Sequence, residues 1–267
     1  MGNVLISDIL RNNVKEKLAR DEVVASMTVR LVRGTEIARI AATAGFDSLY
    51  VDLEHSSFSL ETCGQICMAA VEAGIAPFVR VPANTPDYIC RVLEGGALGI
   101  IAPHVRSADE ARAVVRAAKF SPLGERSNAG GLPHLHFRSF SAPEAYAALN
   151  DATISSVLSS AAALDKTEEI VAVDGVDLVL VGLSDLLADW GIPGQYDHPR
   201  VREAYASTIA ACRRHGKHCG VGGLSTRPDL VAEFVRMGAR YVSTGTDLAF
   251  LMSACTARAK QVQEIKL

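Results

Sequence analysis

Long apolar runs are missing from this sequence of 267 residues, and so are runs of basic residues. The longest apolar stretches, such as LGIIAP and LVLVGL, are far shorter than the roughly 20 residues that a membrane-spanning helix needs. The sequence has no basic or basic-aromatic stretch of the kind that binds nucleic acid, and its net charge is −3. The N-terminal stretch is charged and lacks the apolar region of a signal peptide. We therefore expect a cytoplasmic protein with neither a membrane nor a nucleic-acid partner.

Cysteine does not occur at the spacings that indicate a zinc site or a disulfide framework. The six cysteines are Cys63, Cys67, Cys90, Cys212, Cys219 and Cys255. Cys63 and Cys67 lie one helical turn apart, but no second Cys or His pair follows at a zinc-site spacing. Buried free thiols in a reducing compartment are the simplest interpretation.

One pattern recurs along the chain: an amphipathic helix, a glycine, and then a short β-branched run. IARIAATAG-FDSLYV and EFVRMG-ARYVSTG are two examples. The glycines suit the left-handed backbone that ends a helix before a strand. They are Gly45, Gly74, Gly96, Gly175, Gly216 and Gly238. The runs that follow are continuously apolar rather than alternating, which is typical of parallel strands covered on both faces.

Eight such strands alternate with helices. The predicted ranges are 23–29, 47–53, 76–81, 98–104, 153–158, 176–182, 217–222 and 240–245. Eight strand-helix units in about 250 residues are typical of a (β/α)8 TIM barrel with parallel strands, and we assign residues 1–267 to one such domain. An open doubly wound sheet is the alternative, but the Gly-rich nucleotide loop that usually follows its first strand is missing.

Residues 120–150 interrupt this rhythm with a long segment rich in Gly, Pro, Ser and His. Long ordered loops in compact domains are usually functional, so we expect this segment to fold toward the top of the barrel and to influence substrate specificity. His134 and His136 are a candidate metal pair on one side of an extended segment, although a loop facing solvent or substrate is the simpler interpretation.

Polar side chains follow several of the predicted strands, and barrel enzymes place their sites at these C-terminal ends. The residues are Asp52, Glu54, His55, Arg80, His104, Ser159, Ser160, Asp185, Thr244 and Asp247. Arg80 would pair with a carboxylate or a developing oxyanion, and His55 would move a proton near neutral pH. This set suits chemistry on a small anionic substrate.

Each candidate also has a structural interpretation. His55 and Asp185 both lie near a helix start and are candidate helix caps. Arg80 is a candidate for a structural ion pair. His104, before a turn, fits a structural role better than a catalytic one.

Five stretches in order along the chain carry a family resemblance. They are VDLEHSSFSLE, FVRVPAN, PLGERS, VDLVLVGLSDLLADWGIPGQYDHPRV and ARYVSTGTDLAFL. Together they resemble the HpcH/HpaI aldolase family, which includes 4-hydroxy-2-oxoheptanedioate and 2-keto-3-deoxy sugar acid aldolases and is related to macrophomate synthase. The similarity covers about residues 5–260, and the set is specific although any single stretch is weak.

The resemblance implies a class II pyruvate aldolase. In such enzymes a divalent ion such as Mg²⁺, Mn²⁺ or Co²⁺ chelates the carboxylate and keto oxygen of pyruvate and stabilises an enolate. By the family pattern, Arg80 would hold the enolate oxygen and His55 would carry the proton, paired with Glu94. Asp185 matches one of two metal-binding carboxylates. The resemblance also implies that Asp52 and Glu54 orient waters around the metal, and that Gly182 and Ser184 contact the substrate carboxylate.

The second metal carboxylate of the family is replaced here. Counting back from Asp185 without a gap places that glutamate at Ser159, and the residue three further on, often acidic in relatives, is Ala162. Hard divalent ions prefer charged oxygen ligands, so we expect the metal to bind weakly, or only together with a chelating substrate. Ser159 would then hold a metal-bound water or contact the substrate.

Three functions stay open. The first is retro-aldol cleavage of a 4-hydroxy-2-oxo acid to pyruvate and an aldehyde, or a related decarboxylation. The second is a metal-independent or biosynthetic carbon-carbon reaction, and the third is a non-catalytic paralogue that binds a ligand. The last helix presents an apolar face that includes Leu248 and Leu251, and in the family this helix swaps between subunits. We therefore expect a homo-oligomer, either a trimer or a hexamer.

Overall fold

Eight parallel strands close into a barrel in the computed structural model, which describes residues 4–127, 130–159 and 161–266. The strands are β1 (Val24–Val29), β2 (Ser48–Asp52), β3 (Ala76–Arg80), β4 (Gly99–Val105), β5 (Ile154–Ser159), β6 (Leu178–Gly182), β7 (His218–Gly222) and β8 (Tyr241–Thr246). Each strand pairs with the next, and β8 pairs with β1. The predicted TIM barrel is confirmed, and each predicted strand agrees to within two residues at either end.

Two helices precede the first strand, and the others follow the strands and cover the outside of the barrel. They are α1 (Ile6–Ile9), α2 (Asn13–Ala19), α3 (Glu36–Thr43), α4 (Leu60–Glu72), α5 (Pro86–Glu94), α6 (Ala108–Ala118), α7 (Ala142–Ala152), α8 (Ala161–Leu164), α9 (Thr167–Val171), α10 (Leu183–Asp189), α11 (Pro199–Arg214), α12 (Pro228–Met237) and α13 (Asp247–Gln263). The six predicted helix-ending glycines all have positive φ, as at Gly74, where φ is 78° between α4 and β3. A side chain there would be strained, which explains why glycine ends the helix.

The interior of the barrel is filled below its C-terminal mouth. Phe78 of β3 and Tyr241 of β8 stack with ring centroids 5.6 Å apart, and both are fully buried. Val14 and Leu18 of α2 join the same core cluster. Because α2 precedes β1 and packs into this cluster, it covers the N-terminal end of the barrel. Barrel enzymes build their sites at the other, C-terminal mouth.

The long segment after α6 packs against the N-terminal end of the barrel, so the expectation that it folds toward the top is wrong for a single chain. His134, in a short 3-10 turn (Pro133–Leu135), is buried, and its Nε2 lies 2.9 Å from the carbonyl oxygen of Ala97, just before β4. His136 is exposed and has a left-handed φ of 51°. One imidazole is buried against the backbone and the other is exposed, which does not suit a shared metal ion.

The helices and the cysteines can each be compared with what the sequence predicted. None of the helices in residues 4–127, 130–159 and 161–266 is long and apolar enough to cross a bilayer. All six cysteines are free. Cys90 is half-buried and Cys255 is exposed, so the expectation of buried thiols holds only for the other four.

Candidate active site

The VDLEH turn is folded by its first carboxylate. Asp52 ends β2 and is fully buried. Its Oδ1 accepts hydrogen bonds from the backbone N–H groups of Glu54 at 3.1 Å and His55 at 3.2 Å. This is a local turn of the kind that aspartate stabilises, and it brings Glu54 and His55 over the mouth of the barrel. Asp52 therefore organises the turn. The family pattern implied that it orients water around a metal, but both of its oxygens are already engaged by protein groups.

Arg80 ends β3 directly beside Asp52 in the strand register. Its Nε donates to Oδ1 of Asp52 at 2.9 Å and its Nη2 donates to Oδ2 at 2.6 Å, which is the bidentate geometry that arginine favours. Its third nitrogen, Nη1, lies 3.0 Å from Oε2 of Glu54. Burial alone would raise the pKa of Asp52, but the hydrogen bond and charge of Arg80, together with Arg30, outweigh it and lower that pKa. The ion pair is ionised at neutral pH and fixes Arg80 at the mouth.

Glu54 is shared by three basic side chains. Nε2 of His104 lies 2.9 Å from its Oε1, and Nε2 of His55 lies 3.6 Å from its Oε2. Oε2 is buried and lacks a well-aligned hydrogen bond within the described residues, although Arg80 is near. The two imidazoles are about half exposed, with 51% and 48% of the side chain accessible. We call Asp52, Glu54, His55, Arg80 and His104 the mouth cluster.

His104 belongs to the site, although the sequence favoured a structural role. Its φ is 53°, an uncommon conformation for a residue with a side chain, and it lies inside β4. Strained residues of this kind concentrate at functional sites. His104 also lines the cleft that contains Asp185. A histidine at the end of a barrel strand was the available signal, and the turn beside it obscured that signal.

A cleft of about 600 Å³ opens beside the mouth cluster. It is lined by His104, Arg106, Ala161, Ala162, Asp185, Ala188 and Asp189. Asp185 lies in the first turn of α10, whose N-terminal cap is Gly182, so Asp185 is not the cap. Its carboxylate makes no hydrogen bond or ion pair with any residue of the described ranges, which leaves it available to a ligand.

The other capping alternative also fails. The N-terminal cap of α4 is Ser59, whose side chain accepts from the backbone N–H of Thr62 at 3.1 Å. His55 lies four residues before this cap and is free for another role.

Ser159 is the last residue of β5, and its backbone lies in register with Val105 of β4 and Val181 of β6. This places its backbone at the C-terminal mouth, as predicted. The structural description does not extend to the Ser159 side chain or to Ser160.

Gly182 and Ser184 lie at the junction of β6 and α10. A Cβ placed on Gly223, after β7, would come within 3.1 Å of the Ser184 hydroxyl and 3.5 Å of its backbone nitrogen. Glycine at this position therefore leaves open a space over a hydroxyl and an amide, both of which suit a carboxylate.

Glu94 is not brought to the mouth within one chain. It ends α5, which starts after β3 and returns toward the N-terminal end of the barrel. There its Oε1 accepts from Nη2 of Arg126 at 2.8 Å, and the Arg126 side chain is almost fully buried. The expected pairing of Glu94 with His55 is therefore wrong for residues of the same chain.

The end of β1 supplies a residue that the sequence did not single out. Nε of Arg30 donates to Oδ2 of Asp52 at 2.5 Å. The backbone N–H groups of Arg30, Leu31 and Val32 all donate to the carboxylate of Asp247, at 2.8–3.0 Å. Asp247 thus holds the β1 loop, and Arg30 joins the mouth cluster. Its position directly after strand one was the signal that would have found it.

A divalent ion fits this arrangement only with help from a ligand. Asp185 offers one unengaged carboxylate on the wall of the cleft. Within the part of the chain that the structure describes, no group of three His, Cys, Asp or Glu side chains is placed to hold a metal. Mg²⁺ is commonly held by one or two carboxylates, with water and substrate completing its shell. The donors fit an ion held by Asp185, water and a chelating substrate.

A TIM barrel with an arginine, two histidines and carboxylates at its C-terminal mouth defines an enzyme class that acts on small anionic molecules. The particular family is shown by the sequence itself. The profile of the HpcH/HpaI aldolase/citrate lyase family matches residues 32–254, and the chain belongs to this family. The predicted resemblance and the prediction of a carbon-carbon lyase are confirmed.

Two relatives carry the same name. A 4-hydroxy-4-methyl-2-oxoglutarate aldolase of Chaetomium globosum is 38% identical over 222 residues, covering 82% of each chain. A 4-hydroxy-4-methyl-2-oxoglutarate aldolase of Hapsidospora irregularis is 37% identical over 261 residues, covering 96% of each chain.

Solved structures agree. The HpcH/HpaI aldolase from Desulfitobacterium hafniense DCB-2 superposes with a TM-score of 0.89 at 31% identity, covering 96% of this chain and 98% of that one. Macrophomate synthase superposes with a TM-score of 0.75 at 25% identity, covering 95% of this chain and 90% of that one.

Proposed function

We propose that this protein is a metal-assisted pyruvate aldolase that cleaves 4-hydroxy-2-oxo acids, with 4-hydroxy-4-methyl-2-oxoglutarate as the first substrate to assay. The observation that carries the proposal is Arg80, which Asp52 and Glu54 fix at the mouth, next to a cleft with the unengaged carboxylate of Asp185. A fixed guanidinium beside an anion-accepting space suits a reaction that develops negative charge on oxygen.

The reaction is a retro-aldol cleavage. The C4 hydroxyl loses its proton, the bond between C3 and C4 breaks, and its electron pair forms the enolate of pyruvate while C4 becomes a carbonyl carbon. C3 then takes a proton to give pyruvate. With 4-hydroxy-4-methyl-2-oxoglutarate both products are pyruvate.

The chain's own residues divide the work. Arg80 faces the oxygen on which the enolate charge develops, and its rigid pairing with Asp52 avoids reorganisation during the reaction. His55 is exposed at the mouth and carries the proton between C4 oxygen, C3 and solvent. Glu54 holds both imidazoles near the site. The amide and hydroxyl of Ser184, with Gly182, bind the carboxylate of the 2-oxo acid.

The family is generally a class of divalent-metal-dependent aldolases. Asp185 would hold the ion, and Ser159 would contact a bound water or the substrate. When bound, such an ion supplies Lewis-acid stabilisation of the enolate. Mg²⁺, Mn²⁺ and Co²⁺ are the candidate ions.

We also propose that the chain works as a homo-oligomer in which α13 is exchanged between subunits. Helix α13 exposes Leu248, Phe250, Leu251 and Met252, and residues 248–266 are exposed along their whole length. A groove of about 790 Å³ between α3 and α4, with Ile40 on its wall, offers an apolar surface for such a helix. Contiguous exposed apolar surface of this kind marks an interaction site.

The same assembly is required by the proposed pairing of His55 with an acid. Glu94 lies at the N-terminal end of its own barrel, so it reaches a His55 only in another copy. A cytoplasmic location and a single domain over residues 1–267 complete the proposal.

The test is pyruvate release from 4-hydroxy-4-methyl-2-oxoglutarate, measured with lactate dehydrogenase and NADH, with each metal and with chelator. Metal-stimulated release supports the proposal. Release that chelator leaves unchanged points to the metal-independent carbon-carbon enzyme. If no pyruvate is released from this or other 4-hydroxy-2-oxo acids with any of the metals, the protein is better described as a ligand-binding paralogue.

A further inference from the structure

Arg30 is held in place from two directions. The backbone N–H groups of Arg30 and of the two residues after it donate hydrogen bonds to the buried carboxylate of Asp247. Its side-chain Nε is bound by Asp52, which is fully buried. A guanidinium fixed at both its root and its inner nitrogen loses little further freedom when it binds a ligand.

The outer edge of the same guanidinium is unused. Neither Nη1 nor Nη2 of Arg30 has a hydrogen-bond acceptor among residues 4–127, 130–159 and 161–266, and 35% of the side chain is accessible. Two parallel N–H groups at the end of an arginine match the two oxygens of a carboxylate. Asp52 does not depend on Arg30, because Arg80 holds both of its oxygens.

The contacts also give the order of the side chains across the mouth. They run in the order His104, Glu54, Arg80, Asp52 and Arg30. The cleft with Asp185 adjoins the His104 end, and Arg30 is the opposite end. A substrate with its 2-oxo acid group near Asp185 and its middle at Arg80 therefore points its far end toward Arg30.

Resting on the proposed function, we infer that Arg30 is the specificity-determining residue of this enzyme. Its Nη edge binds a carboxylate on the fragment that leaves as the carbonyl product, so that 4-hydroxy-2-oxo dicarboxylic acids are preferred to analogues with an uncharged tail. Arg30 takes no part in proton transfer or in bond cleavage, and it acts by binding.

The test compares two ligands that differ only at the far end. 2-Oxoglutarate carries a terminal carboxylate, and 2-oxopentanoate has the same chain length without it. Binding to the wild-type chain and to Arg30→Met is measured by calorimetry in the presence of Mg²⁺. We expect the wild type to bind 2-oxoglutarate at least about tenfold more tightly, which corresponds to one well-made charged pair. In Arg30→Met this preference should fall below about threefold while 2-oxopentanoate binding is unchanged.

Two variants serve as controls. Arg33→Met removes a cation from the same loop, one that donates to the Ser57 hydroxyl and makes no contact with Asp52, and it should keep the full preference. Arg106→Met removes the arginine on the cleft wall and should also keep it. Three outcomes would overturn the inference. The wild type could show no preference for 2-oxoglutarate, Arg30→Met could keep the preference, or Arg106→Met could lose it instead.

Kinetics separate this inference from the proposed function. If the wild type shows the binding preference but releases no pyruvate from 4-hydroxy-4-methyl-2-oxoglutarate or 4-hydroxy-2-oxopentanoate, the aldolase proposal fails and the assignment of Arg30 stands. If both substrates are cleaved, Arg30→Met should lower kcat/KM by about tenfold for the dicarboxylate alone, through KM. An equal loss for both substrates would show that Arg30 only supports the fold of the mouth and overturns the inference.

Discussion

Oε1 of Glu54 lies 2.9 Å from Nε2 of His104, and this contact links the turn after β2 to the end of β4. The other oxygen of Glu54 faces Arg80 and His55. A single carboxylate thus holds one guanidinium and two imidazoles at the mouth of the barrel.

Replacing this carboxylate by its amide tests its role. Glu54→Gln keeps the size of the side chain but removes the charge that all three basic groups face. We expect kcat for pyruvate release to fall by about 10²–10³, as when a preorganised electrostatic contact is lost. Glu61→Gln, on the exposed side of α4, is the matched control and should change kcat by less than about twofold. A Glu54→Gln enzyme with normal kcat would remove Glu54 from the catalytic arrangement.

Ser159→Glu restores the charge that the family pattern has at this position. A second carboxylate in the shell of a hard divalent ion should tighten metal binding by about tenfold or more and raise metal-stimulated pyruvate release. Calorimetry with Mn²⁺ and the coupled assay measure the two effects. Ser159→Gln, similar in size but neutral, is the control and should tighten nothing. If neither effect appears with glutamate, the assignment of Ser159 to the metal position is wrong.

The buried His134 should make the folded protein less stable in mild acid. Burial lowers the pKa of His134 from 6.5 to about 4. The unfolded chain therefore binds the proton more readily than the folded chain, so this contribution to stability is complete above pH 6.5 and is lost as the pH falls toward 4. Between pH 7 and pH 5 we expect about 2 kcal/mol of the free energy of unfolding to be lost through this residue.

The variant that tests this is His134→Gln, which keeps a donor for the Ala97 carbonyl but does not titrate. Urea unfolding at both pH values should show a smaller pH dependence in His134→Gln than in the wild type. His136→Gln, at the exposed neighbouring histidine, should retain the wild-type dependence. Equal pH dependence in the wild type and His134→Gln would contradict the assigned pKa.

If α13 is exchanged between subunits, formation of the homo-oligomer should depend on the apolar residues of this helix. Leu251→Glu places a charge on a side chain that is 52% exposed in the single chain. If α13 is exchanged between subunits, this charge becomes buried and should shift the protein to smaller species in light scattering. Lys260→Glu, near the polar end of the same helix, is the control. A wild-type protein that is monomeric would contradict the exchange outright.

The barrel was predictable because its signals are local. Six of the eight strands follow a helix that ends at a glycine, and most strands are short and largely apolar. Strand positions such as Ser48–Asp52 therefore follow from the residues within the unit. Asp52, His55, Arg80 and Asp185 were found for the same reason, since strand ends of a barrel share one face. The sequence placed Ser159 directly after the predicted strand 153–158, and the structure makes it the last residue of β5.

The parts that the sequence did not predict depend on direction and on distant contacts. Glu94 was assigned to the mouth by family pattern, although a helix that follows a strand runs back and ends at the opposite face. The segment with His134 was expected at the top, but its apolar residues pack against Ile6 at the bottom. Arg30 directly follows a predicted strand, which is a local signal, but its contact with Asp52, 22 residues away, is not encoded in any local pattern.

Asp247 couples the start of α13 to the loop that follows β1. The residue that starts the outward-reaching helix also fastens the backbone beside Arg30, so the entrance of the barrel takes its final form only when the root of that helix is seated. A change at the first turn of α13 should therefore also alter the shape of the entrance, although the rest of that helix points away from it.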